Sequence, residues 1–467
     1  MTIELAYMDG MWCGQGMAHL LRLYTDRYAR PDKDAAEMMA LFDFGNSGGG
    51  LSQSKEVLGI TPPVRTLIEA LELQMAQGKP PKLDLVLFSH QDTDHWTLTK
   101  EFLDQVATRN IPLEVGRIQL GGTNWGPQAR ATIGRLAKFL PEGDGPVSYL
   151  TNASDYGDAN GDVTETMALG PVSIRTIVSN VPSATKSQAL IKNGSSAVAV
   201  VQYGQTAFIL PGDATYETLD FANTLLQAWT QSPLPNIYMM SAPHHGSLDT
   251  MTRKNIGDKS DLAELNTFVE LTLPYSIFAS AGYYSHHKHP YLSILVALSK
   301  HTGSHEYPDP HGVVAYEADT ARWTLLPEVD RNVYTTVLDL DPDKPLQSAD
   351  WLFWINDQGH FGTDARFFEG GARQIIGVPQ TDSTTMILEE DGSGGGGGGG
   401  GDGISAVTAP PGPLRVGDVL PGLERGHLVR SRQILARQIL DRGRAASTIG
   451  SARPIPPPRR VRPRIAV

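Results

Sequence analysis

The chain has 467 residues, 40% of them hydrophobic and 19% charged, a formal net charge of −12 and one cysteine, Cys13. That length supports a large core and more than one folded unit. A single cysteine excludes an internal disulfide and a thiolate zinc site, and is compatible with a reducing compartment. Met1–Asp9 lacks the basic and apolar regions of a signal peptide. There is no apolar run of about 18 residues, so the expectation is a cytoplasmic protein with no membrane span.

In chain order, β-like runs fall around Glu4–Met8, Leu20–Tyr24 and Met38–Phe44. Gly14-Gln15-Gly16 marks a tight turn between the first two, and Gly45-Asn46-Ser47-Gly48-Gly49-Gly50 ends the third. Apolar residues at helical spacing (Val64, Leu67, Ile68, Leu71, Leu73, Met75) predict a helix over Val64–Met75. The run Leu83-Asp84-Leu85-Val86-Leu87-Phe88 predicts a buried strand. Further strands are expected at Arg117–Leu120, Val172–Ile177, Ala197–Gln202, Ala207–Leu210, Asn236–Met240 and Ser276–Ala279. Helices are expected at Tyr216–Thr230 and Tyr291–Ser299, and a closing hairpin at Val313–Tyr316 and Arg322–Leu326.

Residues 331–391, with Trp351, Phe353, Trp354, Phe361, Phe367 and Phe368, read as a small β-rich extension packed on a main body of residues 1–330. Residues 392–403 are nearly all glycine and read as a flexible linker. Residues 404–467 form an Arg- and Pro-rich tail with one candidate helix, Leu423–Asp441; Ser451–Val467 cannot bury a core. From Asp402 onward twelve arginines and no lysine stand against four acids, a tail of +8 that leaves the preceding body at −20.

The chemistry concentrates in Ser89-His90-Gln91-Asp92-Thr93-Asp94-His95, directly after the buried strand. Loops at strand C-termini are where α/β folds build sites. Imidazole with carboxylate oxygen suits zinc, manganese or iron. A polar loop of solvated charges is the competing reading, and four potential ligands in six positions argue against it. Three later features repeat the pattern of strand followed by ligand: Asp213 after Leu210-Pro211-Gly212, His244 and His245 after Pro243, and His286, His287 and His289 after the strand ending at Ala279. A lone Asp after Gly is usually a turn residue and a His pair on a loop is usually only polar. Their recurrence behind His90-x-Asp92-x-Asp94-His95 favours a metal site.

These residues resemble the metallo-β-lactamase fold, and within it the hydrolase domain of competence-type DNA-uptake channel proteins. Phosphorylcholine esterases have a similar site. The resemblance spans roughly residues 1–330 and includes Gly14-Gln15-Gly16, Asp43-x-Gly45, Asn193-Gly194-Ser195-Ser196-Ala197-Val198, Pro243-His244-His245-Gly246-Ser247 and His289-Pro290. It departs at Trp96-Thr97-Leu98, where the family often has Gly-Gly, and at Ser285 and His287, where Asn and Tyr are usual. The chain also lacks the channels' membrane segments.

The resemblance implies an αββα sandwich and two divalent metal ions, zinc first, with manganese or iron also suited. One ion would be held by His90, Asp92 and one of His244 and His245, the other by Asp94, His95 and His289, with Asp213 between them. Adjacent residues of an extended segment point to opposite sides, so His245 is expected as the ligand and His244 as the substrate-facing residue that protonates the leaving group. Asp43 would orient a ligand histidine, with a helix cap as its other reading, and Asn193, Ser285 and His287 would touch substrate. The implied activity is hydrolysis of a phosphodiester, nucleic acid included, by a hydroxide bridging the ions. Hydrolysis of small esters or lactones, or a non-catalytic interaction role, are the alternatives. The basic tail could recruit nucleic acid or a protein partner.

Overall fold

The computed structural model describes residues 2–47, 59–141, 148–149, 165–183, 187–228, 235–252, 261–280, 287–303, 312–326, 329, 331–338, 348–368 and 386–387. The expected glycine linker, the basic tail with its candidate helix, and Ser285 lie outside the described residues.

Strands β1 (Leu5–Gly10), β2 (Ala18–Tyr24) and β3 (Met38–Phe44) run antiparallel in sequence. Helix α1 (Pro62–Ala76) begins with two prolines, whose missing N–H groups cost nothing in a first turn. Short β4 (Lys82–Leu83) precedes β5 (Leu85–Phe88), which lies parallel to β3. Helix α2 (Leu98–Thr108), β6 (Glu114–Val115, paired with β4) and β7 (Ile118–Leu120, parallel to β5) follow. Helix α3 (Pro127–Leu136) and β8 (Ser148–Tyr149) complete this half.

The second sheet starts with β9 (Glu165–Leu169), β10 (Val172–Val178), α4 (Gln188–Gly194), β11 (Val198–Tyr203) and β12 (Thr206–Leu210). Its parallel part is β12, β13 (Asn236–Ser241) and β14 (Ser276–Ala279). Helices α5 (Tyr216–Ala228), α6 (Leu248–Met251), α7 (Ala263–Thr272) and α8 (Leu292–Leu298) lie between and after these strands. A separate hairpin of β15 (Val313–Glu317) and β16 (Arg322–Leu326) carries β20 (Met386–Ile387).

The two sheets stack face to face. Leu85 and Leu87 of β5 enter a core shared with Ile174, Phe208, Met239 and Phe278 of the second sheet. Val86 and Phe88 enter a different core with Val64, Leu67, Phe102 and Ile133 of α1, α2 and α3. A parallel strand buried on both faces has no polar alternation, which is why residues 83–88 read as a nearly unbroken apolar run. On the second sheet's outer side α5 packs on β10, α7 on α5 and α8 on α7. Each fully buried Leu, Ile or Phe in these layers contributes about 1.5–3 kcal/mol.

Two expectations change. Helices α2, α3, α4, α6 and α7 stand where none was expected, although Leu98, Phe102, Leu103 and Val106 already trace one buried face of α2. Residues beyond 330 are also not an extension packed on a finished body. Strand β17 (Val333–Thr335) pairs with β14 at the edge of the second sheet. Trp351–Asn356 of strand β18 (Ser348–Asn356) pair with the whole of β1, and β19 (Phe361–Phe368) pairs with β18. Trp351 of β18 is fully buried and donates its indole N–H to the Thr335 carbonyl at 2.9 Å. Trp351 and Phe353 are therefore sandwich core, while Phe361 is exposed. Among the described residues no helix is long and apolar enough to cross a membrane.

Candidate metal centre

The C-terminal ends of the parallel strands of both sheets meet at one edge of the sandwich. Asp43 is next to last in β3, Ser89 to His95 follow β5, Asp213 follows β12, His244 and His245 follow β13, and Ser280 follows β14. Loops from the two sheets close on each other there with no room to spare. Gly212, with φ of 57°, would place a side-chain carbon 2.7 Å from Ser89 Cβ.

Four imidazoles converge on one carboxylate. His95 Nε2 lies 3.0 Å and His245 Nε2 3.5 Å from Asp213 Oδ1. His244 Nε2 lies 3.3 Å and His90 Nε2 3.7 Å from Asp213 Oδ2. Asp94 Oδ2 is 3.6 Å from His245 Nε2, and Asp92 Oδ2 is 3.8 Å from His90 Nε2. Ligand atoms of Asp94, His95, Asp213 and His245 all fall within 4.8 Å of one another, a spacing that one ion can bridge. The His90, Asp92 and His244 set is more open.

The other nitrogen of each ring is held from behind. His95 Nδ1 donates to Asp43 Oδ2 at 3.0 Å, while Asp43 Oδ1 accepts the Ser89 backbone N–H at 2.7 Å. His245 Nδ1 donates to the Ser280 carbonyl at 2.6 Å. His90 Nδ1 meets Ser89 Oγ at 3.1 Å, and His244 Nδ1 meets Thr250 Oγ1 at 2.9 Å. Fixing Nδ1 selects the tautomer that leaves a lone pair on Nε2. His90 Nε2, His95 Nε2, His245 Nε2 and Asp213 Oδ1 are buried without hydrogen-bond geometry to any protein group. Buried polar atoms in that state are costly, so the residues present fit a bound cation.

The electrostatics say the same. Burial would push His95 down, but Asp213 and Asp43 hold it well above its ordinary value. Burial likewise opposes His245, and Asp213 and Asp94 outweigh it and raise it. Burial would raise Asp94 and Asp213; His245 and His95 lower Asp94 instead, and His244, His95 and His245 lower Asp213. His90 goes the other way, pushed down to about 4 by burial and by His95. Three carboxylates at the end of a buried core draw positive charge, which protons or a metal can supply.

The histidine pair departs from expectation. His244 (φ 44°, ψ 51°) and His245 (φ 54°, ψ 15°) are both left-handed rather than extended. Alternation of side chains therefore does not apply, and both rings reach Asp213, one at each oxygen. Left-handed backbone costs roughly 1–2 kcal/mol per residue and is held here by the surrounding loops. His245 stands with Asp94 and His95, not with His90 and Asp92. His289, expected beside Asp94 and His95, lies outside that cluster: its ring stacks on His245 at 6.3 Å and sits 5.4 Å from His244.

Asp92, Asp94, Asp213, His244 and His289 line a cleft of about 980 Å³, with Asn193, Lys192, His287 and Lys288. Asn193 Nδ2 is 3.4 Å from His244 Nδ1. Sequence reasoning missed Ser89, Thr250 and Ser280, which orient ligand candidates. Ser89 adjoins His90 in the motif and could have been found; Ser280 acts through its backbone, which leaves no residue-type signal.

No protein-family model matches the chain, and no curated protein matches it. Among solved structures it is similar to a metallo-beta-lactamase fold protein from Bacillus subtilis, with TM-score 0.29 and 10% identity over 60% of this chain and 88% of that one. It is similar to a diphosphatase of the PhnP family, with TM-score 0.29 and 10% identity over 60% of this chain and 87% of that one. A long form RNase Z from yeast aligns with TM-score 0.34 and 10% identity over 62% of this chain and 38% of that one. Two mixed sheets packed face to face between helices, with a His/Asp cluster on the loops at one edge, give this chain the metallo-β-lactamase fold.

Proposed function

We propose that the protein is a dinuclear metal-dependent hydrolase of phosphodiesters. The observation that carries this reading is the convergence of four imidazole Nε2 atoms, those of His90, His95 and His245 buried, on the two oxygens of Asp213. Asp94, His95 and His245 would hold one ion and His90, Asp92 and His244 the other, with Asp213 serving both. Such ions would supply a more acidic water and positive charge to stabilise the attacked group.

The chain's own residues position and exclude. Asp43, Ser89, Thr250 and Ser280 lock the rings, so little reorganisation accompanies reaction. With His244 given to the metal, His289 takes the substrate-facing role: it is 8% exposed and lines the cleft beside His287. Asn193 could donate to the scissile group. The sequence resemblance supports a phosphodiester, and the cations in the cleft wall suit one. The body's charge of −20 disfavours a long polyanion by simple attraction, which keeps small-ester or lactone hydrolysis as the second reading. That charge also bears on the expectation that the tail recruits nucleic acid.

The test is metal analysis with hydrolysis of bis(p-nitrophenyl) phosphate by wild type and Asp213→Asn. Two ions per chain and diester turnover are expected, with both largely lost in the variant. A metal-free chain with four intact histidines would sink the proposal.

A further inference from the structure

Two lysines stand in the cleft wall, Lys192 and Lys288. Lys288 lies 5.2 Å over the Tyr316 ring. Lys192 does something different: its Nζ is 3.0 Å from Asp92 Oδ1, with the lysine side chain 48% exposed and the aspartate 26%. The other oxygen of Asp92 faces His90. Among the described residues, Lys192 is the one lysine or arginine paired with Asp92, Asp94 or Asp213; their other ionic partners are histidines.

That pairing matters for charge. Two divalent cations set against Asp92, Asp94 and Asp213 leave one positive charge. A neutral histidine in place of Asp92 would leave two. Lys192 adds a second positive charge on the side of the cleft where Asp92 stands. Once a cation neutralises Asp92, the ammonium no longer needs that carboxylate alone. It has three donors on a flexible stem, so it can keep one on Asp92 Oδ1 and turn another to a ligand in the cleft.

We propose that Lys192 is a specificity-determining residue that contacts a non-bridging oxygen of the substrate, so that the centre prefers an anionic phosphodiester to a neutral ester. The proposal rests on the dinuclear phosphodiesterase reading of the same site. A charge-assisted hydrogen bond at a half-exposed position corresponds to about tenfold in affinity.

The experiment uses the full, metal-loaded chain as wild type, Lys192→Ala and Lys192→Arg. Three quantities are measured: metal content, calorimetric affinity for inorganic phosphate, and kcat/KM for bis(p-nitrophenyl) phosphate relative to p-nitrophenyl acetate. Lys192→Ala should weaken phosphate binding and lower the diester-to-ester ratio, each about tenfold. The loss should fall in KM rather than kcat, with both ions retained and Lys192→Arg recovering most of it. Unchanged phosphate affinity in Lys192→Ala overturns the proposal. So does an unchanged ratio with one ion lost, since Lys192 would then only support Asp92. If wild type binds phosphate, loses that binding in Lys192→Ala, and yet hydrolyses no diester, the anion contact stands and the phosphodiesterase reading fails.

Discussion

Gly45→Ala tests how tightly the fold holds the centre. A side-chain carbon at Gly45 would lie 2.3 Å from the Asp94 carbonyl carbon and the His95 amide nitrogen, and 2.4 Å from the Trp96 nitrogen. All three are backbone atoms, so no side chain can swing aside. Ordinary contact starts near 3.4 Å, so the loop must retreat by about 1 Å. Overpacking of this kind costs about 1–3 kcal/mol. The functional penalty is larger, because metal–ligand distances tolerate about 0.2 Å and a 1 Å misplacement costs roughly 100-fold in rate. Gly134→Ala is the control. It lies inside α3 with nothing within 4 Å of the added carbon, and should stabilise by about 0.5–1 kcal/mol. The assay is thermal unfolding with metal stoichiometry on the same samples. Gly45→Ala should lose metal and a few degrees of midpoint; Gly134→Ala should lose neither. Normal metal content and stability in Gly45→Ala would refute the claim that the loop cannot yield.

Further outcomes separate the roles around the cluster. His244→Ala should release one of two ions, whereas His289→Ala should keep both and lower turnover; metal analysis giving the reverse would restore His289 as the ligand. Chelation should lower the unfolding midpoint, since a cation that binds only the folded chain stabilises it by mass action and its removal exposes Asp92, Asp94 and Asp213 to one another. Asp350, fully buried, accepts from the Trp12 backbone N–H at 2.7 Å and lies 3.4 Å from Thr66 Oγ1 and Arg366 Nη1. Burial pushes it up to about 7 against the pull of Arg366 and the Trp12 N–H. A raised carboxyl stabilises fully below its unfolded value of about 4 and loses that contribution as pH rises through about 7. Asp350→Asn should therefore gain on wild type as pH rises from about 4 to about 7 and hold that advantage at pH about 8, by at most about 4 kcal/mol. Equal stability of the two proteins across that range would show that Asp350 ionises freely.

Much of the candidate centre was legible because its candidate ligands follow apolar strands within a few residues. His90, Asp92, Asp94, His95, Asp213, His244 and His245 all gather at one edge, as the recurring pattern suggested. The division of the four histidines between the two oxygens of Asp213 was not legible. It depends on the left-handed backbone at His244 and His245, and no residue type at those positions announces that conformation. Lys192 was overlooked because its pairing with Asp92 spans α4 and the loop after β5, a contact that only the fold creates. The boundary near residue 330 failed for a related reason. Aromatic density in residues 351–368 signals burial but not which strand it will be buried against.

The pairing of β1 with β18 has a temporal consequence. Trp12 and Asp350 are 338 positions apart and are joined by a hydrogen bond. At about 5–20 residues per second of synthesis, roughly 20–70 s separate their emergence. Throughout that interval β1 has one hydrogen-bonding edge, lined by Leu5 to Gly10, without the partner it acquires in the finished fold. Such an edge is a template for other strands, and contacts this distant in sequence form slowly. A nascent chain of this protein is thus expected to depend on chaperone cover until residue 356 is free, and yields of soluble protein should fall sharply for chains stopped just before β18.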